Sequence, residues 1–174
     1  MSRAVFLAAI AALAASSPAG AHVSLENKQA TIGASYKAVF AVPHGCAGSA
    51  TVKIRVQIPE GVIAVKPMPK AGWSVEAISG KYATEYDYHG KIFSEGVKEV
   101  VWSGGKLADG NYDEFVVSTY LTGRLKPNSM LYFPVVQECE QSVNRWIDIP
   151  AEGRAGHGHD GKSPAPGVKL VPKP

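Results

Sequence analysis

Charge, sulfur and helical patterning are all scarce in this chain of 174 residues. Only 19% of its side chains are charged, and the formal net charge at neutral pH is +3. The charge falls to +2 without the first 21 residues, where Arg3 is the only charged side chain. A nucleic-acid surface needs clustered Lys and Arg to displace counterions, so this weak bias excludes that partner. No G-x-S-x-G, no H-E-x-x-H and no phosphate-cradling glycine loop occurs. The acidic residues are scattered through strands and turns, and no enzyme is expected. No segment carries the 3.6-residue apolar period of an amphipathic helix, and there is no internal repeat. Beyond residue 15 no apolar run is long enough to cross a bilayer, so no membrane span is expected in the mature chain.

What the chain does have is apolar residues, 45% of the total, together with 18 Gly and 12 Pro. That hydrophobic content is too high for a disordered chain and suits one globular domain of short strands and turns. The first 21 residues read differently. Arg3 is followed by A-V-F-L-A-A-I-A-A-L-A-A over residues 4–15, then by Ser16, Ser17 and Pro18. Twelve residues at a helical rise of ~1.5 Å reach only ~18 Å, too short for a membrane span of ~30 Å. With small residues at Ala19-Gly20-Ala21, residues 1–21 are expected to be a secretory signal peptide. The mature protein is then expected in the periplasm or secreted.

Cleavage after Ala21 leaves His22 first. The free α-amine and the imidazole Nδ1 of a first-position His can close a six-membered chelate on one metal ion. Ligands bind deprotonated, and an α-amine with a pKa of about 7.7–8.0 is easily displaced of its proton by a transition metal. Nitrogen donors in a tetragonal arrangement suit Cu(II).

Alternation marks strands at 35–42, 50–58, 62–65, 73–78, 82–88, 97–102, 114–121, 130–136 and 145–149. In the clearest, Val52, Ile54, Val56 and Ile58 point one way while Lys53, Arg55 and Gln57 point the other. Pro67, Pro69, Gly72, Gly80, Gly90, Gly104-Gly105, Gly110 and Pro127-Asn128 act as breakers. Such short strands at such spacing predict an all-β antiparallel sandwich over residues 22–150. Residues 151–174 hold five Gly and four Pro and no aromatic residue, which predicts a tail with little core. Residues 167–171 are expected to return as an edge strand. His157-Gly158-His159-Asp160 is a metal-capable cluster within the tail, with chance histidines in a solubilising segment as the alternative.

Cys46 and Cys139 are expected to form a disulfide, as an even number of cysteines does in an oxidising compartment. A thiolate Cu(I) site with His44 is the alternative. His44, after the strand-ending Pro43, is a candidate third nitrogen ligand; His89 reads as a turn residue. Tyr82, Tyr86, Tyr88, Trp73 and Trp102 form either an aromatic groove or ordinary core and cross-strand pairs.

The ordered motifs then add up. H-V-S-L directly after the A-x-A site, V-P at 42–43, T-V-K-I-R-V-Q-I-P-E-G-V at 51–62, P-K-A-G-W at 69–73 and R-W-I-D at 145–148 resemble the YcnI-like copper-binding domain family. The resemblance implies an exported immunoglobulin-like or cupredoxin-like sandwich. It implies one Cu(II) held by the first-position His, with a Glu from the V-P loop and a Trp late in the domain. Here those would be His22 and Trp146, the latter covering the metal because an indole N–H only donates. The chain departs from the family at the Glu, where it has Gly45. His44 is the expected substitute, with Glu26 as the other option. The expected role is copper chaperoning, buffering or homeostasis with a delivery partner in the cell envelope. An envelope module that binds protein by strand addition, and a copper oxidase, are the rivals.

Overall fold

The computed structural model describes residues 22–150 and 163–173. The expected signal peptide and the His157–Asp160 cluster lie outside the described residues. Twelve strands run in chain order: β1 Ser24–Leu25, β2 Gln29–Thr31, β3 Ala34–Val42, β4 Thr51–Gln57, β5 Val62–Pro67, β6 Ser74–Tyr88, β7 Lys91–Leu107, β8 Asp113–Leu121, β9 Met130–Tyr132, β10 Val135–Cys139, β11 Val143–Trp146 and β12 Gly167–Val171. One sheet has the order β1-β3-β8-β5 and a second the order β11-β10-β4-β7-β6. A small third sheet has the order β2-β12-β9. This is the all-β antiparallel sandwich that the alternation predicts, with β2 and β12 as a parallel pair.

The core lies between the two larger sheets. Ile54, Val56, Val100 and Trp102 face Phe40, Val42, Phe115 and Val117 across it, all buried. Phe115 meets Trp102 edge-on at 5.4 Å and Trp73 at 5.1 Å, and Phe40 meets Phe133 at 5.7 Å. Each such buried side chain contributes about 1.5–3 kcal/mol from area alone. The Trp102 indole N–H still finds an acceptor, the Met68 carbonyl at 3.2 Å. The five named aromatics are therefore packing residues: Tyr86 rests on Tyr82, and Tyr88 on Tyr120 and Phe93.

Four expectations are corrected. The strands predicted at 73–78 and 82–88 are one strand, β6: Gly80 still pairs with Gly96, although the register shifts after Ile78 and again between Lys81 and Tyr86. Gly104-Gly105 likewise lies inside β7. A Cβ on Gly105 would fall 2.2 Å from the Trp73 ring, so this glycine is a notch under an indole and not a turn. The strand predicted at 130–136 is two, β9 and β10, which belong to different sheets and are separated by Phe133 and Pro134. Finally, β12 is central and not an edge: it pairs with β2 on one side and β9 on the other. Its Val168 and Leu170 are fully buried, as is Ala165 nearly so, and the core extends beyond residue 150. Proline is tolerated at 172 because it follows the strand.

Candidate metal centre

The site forms where the edge of one sheet meets the edge of the other. β1 is the edge strand of the first sheet and pairs with β3, Ser24 opposite Ala41 and Leu25 opposite Phe40. Continuing that register sets His22 level with Pro43, one residue from His44. Val23 and Leu25 are buried in the core, and His22, half-buried, lies just before the strand. β11 is the edge strand of the second sheet and ends in Trp146, which is buried. The His22 imidazole meets the Trp146 indole edge-on, with ring centroids 4.9 Å apart and an interplanar angle of 61°.

Trp146 is fixed from behind. Its Nε1–H donates to Gln137 Oε1 at 3.2 Å. Gln137 Nε2 donates in turn to the His44 carbonyl and to Thr51 Oγ1, each at 2.8 Å. The chain His22, Trp146, Gln137, His44 thus joins both candidate histidines to one buried amide. Sequence reasoning missed Gln137. The signal was present: the period of two puts it on the same face as Val135 and Cys139, so a polar residue stands at an inward position.

His44 sits in a loop that is closed at several points. Cys46 and Ser49 exchange backbone hydrogen bonds of 2.9 and 3.0 Å. Ser142 Oγ donates to the Cys46 carbonyl at 3.2 Å. Cys46 and Cys139 form the expected disulfide, with Cα atoms 6.0 Å apart, and no cysteine is free. The thiolate alternative therefore has no sulfur donor in this state. His44 Nδ1 lies 2.5 Å from the Gly45 carbonyl oxygen. A carbonyl only accepts, so this contact uses Nδ1 as donor, and in the neutral ring Nε2 is the nitrogen a metal could bind.

Gly45 cannot be replaced by the family's carboxylate in this loop. A Cβ there would sit 2.0 Å from the Ser49 carbonyl oxygen and 2.9 Å from Asp109 Oδ1. Glu26 is the other option. It is exposed, and its charge acts on the phenols of Tyr36 and Tyr112. Among the described residues no three His, Cys, Asp or Glu side chains come together as a metal-binding group. The structure thus brings His22 onto Trp146 and ties Trp146 to the His44 backbone, without gathering a side-chain cage. His89 is in the turn between β6 and β7, at φ 54°, with its ring on Tyr88. No helix among the described residues is long and apolar enough to cross a membrane.

Among solved structures, this chain is similar to an uncharacterized protein from Nocardia farcinica whose crystal structure reveals an immunoglobulin-like fold. The two are 25% identical with a TM-score of 0.63, over 86% of this chain and 98% of that one. No curated protein matches the sequence. Residues 22–170 match DUF1775, a domain of unknown function, and the chain belongs to that family.

Proposed function

We propose that this is an exported copper-binding protein of the YcnI-like kind, periplasmic or secreted, that holds Cu(II) as cargo for chaperoning or buffering. The observation that carries the reading is the contact of His22, the residue next to the expected cleavage site, with the buried Trp146. With no side-chain cage among the described residues, an ion held here has to draw on a backbone donor. The α-amine of His22 is that donor, and it exists only after removal of residues 1–21. Amine and Nδ1 of His22, with Nε2 of His44, make an all-nitrogen set. Such a set favours Cu(II) over Ca²⁺ and Mg²⁺, which require oxygen. Trp146 would cover the bound cation with its ring. The role is binding and handover to a delivery partner, not catalysis.

The test is a mature protein with one extra residue before His22, compared with the native terminus by calorimetry. The extension removes the amine from the chelate and is expected to abolish tight Cu(II) binding. Equal affinity in the two forms would refute the reading.

One observation favours the rival reading of an envelope interaction module. β6 is the edge strand of its sheet, 15 residues long and exposed along most of its length. Such an edge can accept a partner strand. Copper titration followed by tryptophan fluorescence separates the two: quenching that saturates at one equivalent belongs to the Trp146 site, and a flat trace to the interaction module.

A further inference from the structure

Gln137 is 1% exposed and is the largest polar side chain in the fully buried interior. An amide at an inward strand position is costly unless all of its bonds are made, and an apolar residue would fill the space without that cost. Here the bonds are made, and the chemistry of the partners fixes which end is which. The indole N–H only donates, so it faces Oε1; the His44 carbonyl only accepts, so it faces Nε2. Both Nε2 protons are used, one on His44 and one on Thr51. Two of the three partners are residues of the candidate metal centre, and they come from different elements: Trp146 ends β11, and His44 lies in the loop after β3. The disulfide anchors the same loop to the same strand, two residues further along β10 at Cys139.

We propose that Gln137 is the positioning residue of the metal centre: its amide is a two-ended strut that holds the Trp146 ring against His22 with Oε1 and the His44 loop with Nε2. This rests on the copper reading for its function, but the strut itself exists without metal. Its consequence is that the two histidine-bearing segments are set as one unit. Rotation of the indole away from His22 requires the Nε1–H bond to break, and that frees the amide holding the His44 carbonyl.

The test uses Gln137→Met, which keeps length and bulk and removes every hydrogen bond. Two measurements need no copper. The exchange of the Trp146 indole Nε1–H with solvent, followed by NMR, is expected to speed up at least about tenfold as the buried acceptor is lost. The nuclear Overhauser contacts between the His22 and Trp146 rings are expected to vanish. In a copper titration the variant is expected to bind about 10–100-fold more weakly, the usual loss when a residue that orients a ligand is removed. Thr119→Val serves as the control: it removes a buried side-chain hydrogen bond, Thr119 Oγ1 to the Tyr36 carbonyl at 2.9 Å, near the end of β3 away from His44, and is expected to keep copper affinity within about twofold. Where Gln137→Met does not fold, Gln137→Asn keeps an amide one methylene too short to span both partners and is read by the same indole exchange, ring contacts and titration. Retention of the protected indole proton, the ring contacts and the affinity in Gln137→Met would overturn the proposal. If the native protein binds no copper, the copper reading falls, and the two metal-free measurements decide the strut by themselves.

Discussion

Removing the disulfide is the perturbation whose size follows most directly from the fold. Cys46 and Cys139 are 93 residues apart in sequence and join the loop after β3 to the end of β10, in the other sheet. In the chain-entropy treatment, closing a loop of that length lowers the entropy of the unfolded chain by about 15–16 cal/mol/K, or about 4.6 kcal/mol at 25 °C. For a domain of this size each kcal/mol moves the melting temperature by about 2–4 °C, so the loss predicts a drop of about 9–18 °C. The right variant is Cys46→Ala with Cys139→Ala. Cys46 is 1% exposed, and a soluble reductant has little access to it in the folded protein. Calorimetric melting and urea titration of the native and double-alanine proteins measure the difference. A drop under about 5 °C would show that the unfolded chain is not appreciably confined by the bridge, and the entropic argument would fail for this protein. The same variant reports on the site. The loop would keep its bond from Gln137 to the His44 carbonyl but lose its covalent anchor, so copper affinity should fall along with stability.

Two further outcomes follow from close packing and from burial. Gly45→Ala drives a Cβ into the Ser49 carbonyl, and should cost about 1–3 kcal/mol or more in urea unfolding. Gly45→Glu should be destabilised at least as much and gain no copper affinity, whereas a stable variant with tighter binding would show that the loop is not closed as described. Burial, reinforced by the charge of Glu26, pushes the Tyr36 phenol from its ordinary value up to about 12. The unfolded chain ionises this group near the ordinary value and the folded chain does not, so its contribution to stability is complete below about pH 10 and is lost between about 10 and 12. Urea unfolding in that window should fall less steeply with pH in Tyr36→Phe than in the native protein; parallel curves would refute the assignment. Tyr112, held up to about 12 by its bond to Glu114, still ionises in that variant.

Much of the sandwich was legible in the sequence because alternation is a local signal. β4 shows it in Ile54 and Val56, with Ile58 just past its end, all buried as the period of two requires. Val52, expected on the same face, is only half-buried because the register shifts between Thr51 and Lys53. The failures have physical causes. β1 and β2 are two and three residues long, too short to display any period. Glycines inside β6 and β7 serve contacts between strands, which no local window contains. β12 shows apolar alternation, but only the tertiary fold reveals that it has neighbours on both sides. In the site, a disulfide was readable from the parity of the cysteines. His22 and Trp146 were singled out by motif, and their contact needed the two sheet edges to meet. Gln137 was readable in principle from an inward polar position and was passed over.

The position of β12 has a consequence for how the molecule is made. Residues 169–171 are hydrogen-bonded in parallel to residues 29–31, so nearly the whole polypeptide separates the two partners. Among the described strands β2 and β9 pair only with β12, so both are raw edges until β12 is in place. Assembly of this layer therefore waits on a contact between segments far apart in the chain, and until it forms β2 lacks its neighbour. Such dependence on distant pairing slows folding.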